Sequence, residues 1–403
     1  MEIVALIIFF FVYLGMILGC WPGLALDRAG IAFLGAIAFI ELQNISISQA
    51  VNYVDLSALA ILFSFMIISA QFYFSGFYTY VVECMGKWVL TPPQLLLAVI
   101  LISALLSAVL INDIVCLALT PLIIKACFRK GLNPVPFLIG LACASNIGSA
   151  LTLIGNPQNL LIGQVLHIPF AQYLKLSLIP CLLGLFVTWF VIKYQIKGNW
   201  FKKNQEINFE IIPFNFWQSF KGIMVIIVIV LTFSFTDLPR EKIALVVAGF
   251  LLLSRRMASQ TLFGFIDWQL LLLFIGLFIV NGSFLDIHDI NSLPKFLTHY
   301  HIDVHSSTWI FLISVVLSNI VSNVPAVMLL LPLIDNSFNG SLLALSSSLA
   351  GNMFIIGSLA NIIVIAQASQ LGVKINWKNH MAVGLPITVI TLIILLAWFY
   401  LVT

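Results

Sequence analysis

Apolar runs that approach or exceed the roughly 20 residues needed to cross a bilayer succeed one another through this entire chain. Of its 403 residues, 62% are hydrophobic and only 8% charged, whereas soluble domains carry about 25% charged residues. The expected fold is therefore an all-α polytopic membrane protein. The first run, IVALIIFFFVYLGMILG, has no basic flank and follows the acidic Glu2, so it reads as a transmembrane helix and not as a cleaved signal. Six cysteines without C-x-x-C or Cys/His spacing point to neither a zinc site nor a disulfide framework. No Walker A motif occurs, so uphill transport would draw on an ion gradient or an external ATPase subunit. No cofactor beyond a coupling ion and no nucleic-acid partner is expected.

The segment LISALLSAVLINDIVCLALTPLI (101–123) reappears as LISVVLSNIVSNVPAVMLLLPLI (312–334) at a displacement of 211. Ser103 falls on Ser314, Ser107 on Ser318, Asn112 on Asn323 and Pro121 on Pro332. Arg28 matches Arg240 and Asp55 matches Asp267 at a displacement of 212, while Gly155 and Asn159 match Gly357 and Asn361 at 202. The chain thus reads as a duplication, with a first repeat over 1–195, a cytoplasmic linker over 196–215 and a second repeat over 216–403.

Each half carries three helices (3–19, 24–41 and 56–80, then 217–236, 241–254 and 267–285). A long apolar segment with a polar middle follows (about 95–124 and 308–334), then a glycine-broken helix (about 136–166 and 341–368) and a final helix. If the long segment crosses the membrane, the repeats are parallel; if it turns back as a hairpin, they are inverted. Lys87 precedes the first such segment and Lys125, Arg129 and Lys130 follow it, so the positive-inside rule places both flanks in the cytoplasm. With two hairpins, only Lys175, Arg240, Lys242 and Lys295 of the 18 Lys and Arg lie outside. The expected architecture has about ten spanning helices and two opposed re-entrant hairpins, the first entering from the cytoplasm and the second from outside. Both termini would be extracytoplasmic in a bacterial-type inner membrane. The alternative is a tilted helix of about thirty residues, roughly 45 Å long against a 30 Å core.

Backbone outside a helix at membrane depth survives only inside protein or beside a cavity. Breaks at matching places in two inverted halves point to a transporter's binding site. In SNIGSALTLIGNPQN (145–159), Gly155 and Pro157 interrupt the helix, and Asn146, Thr152, Asn156, Gln158 and Asn159 supply side-chain oxygens. The partner stretch SSSLAGNMFIIGSLAN (346–361) keeps Gly357 and Asn361. Hairpin tips carrying Ser-x4-Asn, Ser107/Asn112 and Ser318/Asn323, would meet these breaks near the midplane, with Asp113 and Val324 beside the two asparagines. Oxygen ligands without a fixed negative charge suit a weakly held monovalent cation or part of an oxyanion's hydrogen-bond shell; small and amide residues also serve close helix packing.

Asp113 is the acid within the hairpin cores. An ionised carboxylate there costs several kcal/mol unless paired or hydrated, which makes Asp113 the proton-coupling candidate. Alternatively it faces water at the hairpin mouth or caps the second hairpin helix. Asp55, Asp267 and Glu83 sit near expected helix ends, and His288, His299, His301 and His305 cluster in an outer loop.

These motifs resemble those of the ion transporter superfamily, which includes divalent-anion sodium symporters, citrate transporters, arsenical-pump membrane subunits and NhaD-type sodium/proton antiporters. The likeness covers almost the whole chain. VSNVPAVMLLLPLI (321–334) is similar to the Ser-Asn-Thr hairpin of the anion symporters, INDIVCLALTPLI (111–123) to the Asn-Asp hairpin of the arsenite pumps, and NIGSALTLIGNPQN to a signature shared by several branches. The resemblance implies a homodimer whose hairpins and broken helices move as an elevator against a scaffold. It also implies a first cation site at Ser107, Asn112 and Gly155, a second at Ser318, Asn323 and Gly357, and a substrate between the hairpin tips. Ile111-Asn112-Asp113 stands where the symporters have Ser-Asn-Thr, and Val324 replaces the second threonine. Both departures weaken a dicarboxylate reading.

The expected function is secondary active transport of a small inorganic or organic anion or oxyanion, coupled to Na+ or H+. A sodium/proton antiporter of NhaD type and an arsenite-type efflux pathway are the alternatives. A passive channel would lack the alternating-access logic of inverted repeats, and an enzyme would need a clustered nucleophile, base or metal site, which the sequence does not offer.

Overall fold

Side-chain caps fix where several helices begin. Asp27 Oδ1 accepts from Gly30 N at 2.8 Å, Asp55 Oδ1 from Ala58 N at 2.8 Å and Asp267 Oδ1 from Leu270 N at 2.9 Å, satisfying amides that have no partner inside the first turn. The computed structural model describes residues 2–21, 23–196, 198, 200–201, 212–236, 238–254, 257–287 and 306–402. His288, His299, His301 and His305, Lys295 and most of the linker fall outside these residues. In the first half the helices are α1 (Glu2–Leu18), α2 (Arg28–Gln43), α3 (Ile47–Asn52), α4 (Leu56–Phe74), α5 (Phe77–Lys87), α6 (Pro92–Val109), α7 (Asn112–Arg129), α8 (Pro134–Ala150), α9 (Pro157–Val165) and α10 (Phe170–Ile196). The second half holds α11 (Phe216–Phe235), α12 (Arg240–Leu252), α13 (Ser259–Phe263), α14 (Trp268–Ile287), α15 (Ser307–Val321), α16 (Asn323–Leu330), α17 (Ser337–Ala350), α18 (Leu359–Gln370) and α19 (Trp377–Val402). No β-strand occurs among the described residues.

Six of these helices, α4, α6, α10, α11, α14 and α19, are long and apolar enough to cross a membrane. Others are apolar but shorter, because breaks divide what hydropathy runs together. The helix expected over 56–80 stops at Phe74. Gly76 there takes φ +68°, a Cβ on it would stand 2.5 Å from Pro213 O, and Asn215 N donates to Ser75 O at 2.8 Å. The incoming strand of chain before α11 occupies the space a continuous helix would need.

The two halves pack by exchange. α2 lies on α14, and α12, its counterpart in the second half, lies on α4. Gly276 permits the first crossing, since a Cβ there would meet Ala32 O at 2.8 Å. α10 packs on α19, α6 on α8, and α15 on α17.

α6 and α7 fold back on one another at Leu110–Ile111, where the backbone is extended. Lys130 Nζ, just past α7, lies 3.5 Å from Trp88 O, just before α6. Two collinear helices of this length would hold those groups about 50 Å apart. α15 and α16 turn at Ser322, a non-glycine residue with φ +77°. The start of α15 is tied near the start of α17 by Ser307 Oγ donating to Asn339 Oδ1 at 2.7 Å.

Candidate functional site

Four helices begin around one point. α7, α9, α16 and α18 start after Ile111, Asn156, Ser322 and Ser358. Their first turns enclose a cavity of about 30 Å³ lined by Asn112, Asp113, Pro157, Gln158, Ser322, Asn323, Val324, Ser358, Leu359 and, from α14, Leu270. That volume holds one or two waters. Helix starts carry partial positive charge, and a gathering of them is an arrangement that receives anions. Asp113 brings the carboxylate of the set and lies in the first turn of α7.

Each fold-back tip is docked on a helix break. Asn112 N donates to Gly155 O at 3.1 Å, Ser145 Oγ reaches Asn112 O at 3.4 Å, and Ser107 Oγ pairs with Ser145 Oγ at 2.9 Å. Gly155 is required by proximity, since a Cβ there would stand 2.5 Å from both Ser107 O and Ser149 O. Asn112 Oδ1 is buried without a partner. At the other tip, with its amide nitrogen turned to the carbonyls, Asn323 donates to Ser347 O at 3.0 Å and Gly357 O at 2.9 Å. Ser318 Oγ and Asn319 Oδ1 are buried without partners there. Beside Gly357, an added Cβ would meet Gly351 O at 3.1 Å and Asn319 Oδ1 at 3.2 Å. Carbonyls and unpartnered neutral oxygens thus gather at each tip, a donor set suited to a hard monovalent cation. Asn319 carries no signal in the repeat, because its counterpart at displacement 211 is Ala108.

The remaining candidate residues brace the breaks and do not line the cavity. Asn159 Nδ2 donates to Ser149 O at 3.4 Å and Thr152 O at 3.2 Å. Asn361 Nδ2 does the same to Gly351 O at 2.8 Å and Phe354 O at 3.0 Å, the matching positions at displacement 202. Ser358 Oγ donates to Asn146 Oδ1 at 2.8 Å, and Asn156 Nδ2 to Ser348 Oγ at 3.1 Å. These two bonds are one contact made twice with the halves exchanged, since Asn146 matches Ser348 and Asn156 matches Ser358 at 202. Asn146 Nδ2 also reaches Asn352 Oδ1 at 2.9 Å and Asn361 Oδ1 at 3.2 Å. Thr152 Oγ1 donates to Ala108 O at 2.5 Å, tying the first break to α6.

A vestibule of about 360 Å³ adjoins the tip cavity at Leu270, Ser322, Val324 and Leu359. Arg28, Leu273, Ile356 and Ile362 line it, and Arg28 Nε is buried without a hydrogen-bond partner. Their counterparts Arg240, Ile61, Ile154 and Leu160 line a crevice of only about 10 Å³. There Arg240 donates to Gly163 O at 3.1 Å and Ile168 O at 2.7 Å, fastening the far end of α9 to α12. One side is open with its arginine idle, and the other is shut with its arginine bonded.

The citrate transporter family matches this chain over residues 5–341. A 46 kDa membrane protein of Mycobacterium leprae is 26% identical, over 90% of each chain. The silicon efflux transporter LSI3 of Oryza sativa subsp. japonica is 26% identical, over 92% of this chain and 91% of its own. The putative transporter arsB of Dictyostelium discoideum is 23% identical, over 92% and 87%. Among solved structures, the Alcanivorax borkumensis YdaH transporter shares the fold with a TM-score of 0.52 at 13% identity, over 98% of this chain and 95% of that one.

Proposed function

Because the chain belongs to the citrate transporter family, which makes it a multi-pass membrane transporter and not an enzyme, we propose that it moves a small anion or oxyanion by secondary active transport coupled to Na+ or H+. The convergence of four helix starts on one small cavity carries this reading. Amides at helix starts bind negative charge without needing a fixed cation, and the neutral oxygens at the two tips would hold the coupling ions. Loading a cation at each tip would add positive charge beside the substrate, so that neither binds well without the other. Asp113 would serve as proton carrier in place of, or beside, a sodium ion.

The reciprocal contacts support two inverted repeats related by a two-fold axis lying in the membrane plane, with α6–α7 and α15–α16 as opposed re-entrant hairpins. The pairing of an open vestibule with a shut crevice at matched residues supports alternating access. In this reading the hairpins, α8–α9 and α17–α18 move together between scaffolds built on α2–α14 and α4–α12, in a homodimer of the inner membrane with its termini outside.

Proteoliposomes test the assignment. Inorganic oxyanions and small carboxylates, offered one at a time, are expected to drive Na+ or proton entry with at least one of them. Sodium/proton exchange that ignores every anion would replace this reading with an NhaD-type antiporter, which the carboxylate of Asp113 in the cavity favours. An arsenite-type efflux of a neutral solute is the remaining alternative, favoured by the silicon efflux transporter among the relatives and by the carboxamide lining.

A further inference from the structure

A second large cleft, of about 350 Å³, lies away from the transport site at the base of the α6–α7 pair, between α5 and α7. Two helix faces build it. Thr79, Val82, Glu83 and Gly86 on α5, and Leu122, Lys125, Ala126 and Arg129 on α7, each follow the i, i+3, i+4, i+7 spacing that lines one side of a helix. The floor is apolar and the rim is basic. Lys87, Lys125, Arg129 and Lys130 surround it against one acid, Glu83.

Lys87 and Arg129 stand in the last turns of α5 and α7, where helix ends favour cations, but that preference fills no space. Gly86 lines the cleft, and a Cβ there would meet nothing within 4 Å. Just beyond α5, Trp88 and Val89 are exposed, as are Leu101 and Leu105 along α6. Exposed tryptophan beside lysines and arginines at the end of an apolar helix marks a membrane interface.

An apolar floor under a cationic rim complements a phosphodiester attached to acyl chains better than it complements a hydrated ion. Basic hollows between membrane helices hold anionic headgroups in this way, with arginine matching phosphate oxygens through paired donors. We propose that this cleft binds an anionic phospholipid by its phosphate, at the rim formed by Lys87, Arg129 and Lys130, with the lipid's apolar part on Val82, Leu122 and Ala126. The bound lipid bridges α5 to the returning arm of the fold-back pair. This site is independent of which solute the protein transports.

Retention of phosphatidylglycerol and phosphatidylcholine by the purified full-length protein, counted by native mass spectrometry, tests the proposal. The protein is expected to hold phosphatidylglycerol at least tenfold more strongly than phosphatidylcholine. Lys87→Gln/Arg129→Gln/Lys130→Gln is expected to abolish that preference, and Lys374→Gln/Lys378→Gln, which removes basic charge elsewhere, to leave it intact. Gly86→Leu puts a side chain on the lining face of α5 while keeping every cation, and because it raises helix propensity, loss of the lipid in that variant is not expected to come from unfolding of α5. Undiminished phosphatidylglycerol retention by Gly86→Leu or by the triple variant would overturn the proposal. So would displacement of the lipid by inorganic phosphate at equal concentration, which would make the cleft a site for a soluble anion.

Discussion

Replacing Arg240 by glutamine is expected to release the crevice that it now holds shut. Its guanidinium donates to Gly163 O and Ile168 O at 3.1 and 2.7 Å, and hydrogen bonds from a charged donor contribute roughly 1.5–3 kcal/mol each. The side chain is only half-buried, so competition with water discounts the pair to about 2 kcal/mol in total. At 1.4 kcal/mol per tenfold, that shifts the balance between the two sides by about 30-fold. The reporters are cysteines at matched wall positions, Ile356→Cys in the open vestibule and Ile154→Cys in the crevice. They are placed in a chain whose unburied cysteines, Cys20 and Cys84, are serine. With a membrane-impermeant maleimide added to each side of sealed vesicles, position 356 is expected to react quickly and position 154 slowly. Arg240→Gln should lower the ratio of the two rates about 30-fold, and Arg240→Lys should lower it less. Arg28→Gln should not speed reaction at position 154, because Arg28 makes no such clasp in this conformation. A ratio within twofold of the parent in Arg240→Gln, with the variant folded, would refute the role of the clasp.

Gly155→Ala forces a Cβ to 2.5 Å from two carbonyl oxygens and is expected to cost about 1–3 kcal/mol, seen as a lower melting temperature and lost uptake; Gly249→Ala, with nothing within 4 Å, is expected to gain up to about 1 kcal/mol. A double-mutant cycle on Asn146→Ala and Ser358→Ala should give a coupling of about 1 kcal/mol, and additive effects would remove the 2.8 Å bond from the account. Asn323→Ala is expected to abolish any sodium-induced rise in melting temperature, whereas an undiminished rise would move the cation away from this tip. Asp113→Asn is expected to make uptake indifferent to external pH, and an unchanged pH profile would exclude Asp113 as the proton carrier.

The break at Gly155 and Pro157 was legible because those residues stand among Asn146, Thr152, Asn156, Gln158 and Asn159; Gly384 and Pro386, at the same spacing but in an apolar setting, stay inside the continuous α19. The second tip was expected at Ser318/Asn323, but its exact turning residue, Ser322, was not legible, since serine at φ +77° has no sequence signature and Pro325 lies three residues late. Asn159 and Asn361, which hold equivalent carbonyls, are identical across the two halves. Asn146 with Ser348 and Asn156 with Ser358 are not, because those positions exchange residue types while keeping the contact between them. Oxygens could be counted from the sequence, but whether an amide faces the cavity or its neighbour depends on helix rotation. Asn146 and Thr152 therefore looked like ligands and are seated in bracing contacts. Pairing of the matched arginines was visible as sequence, yet only the cavities of about 360 and 10 Å³ reveal that they stand in different circumstances.

That inequality gives a single conformer a template for its opposite. Applying the present geometry of one repeat to the other would bring the guanidinium of Arg28 onto the carbonyls of Ile365 and Gln370, which stand where Gly163 and Ile168 stand in the first repeat. The room now beside Ile356 and Ile362 would vanish, and equivalent room would appear beside Ile154 and Leu160. Under the proposed alternating access, the two arginines would be copies of one lock, thrown in turn.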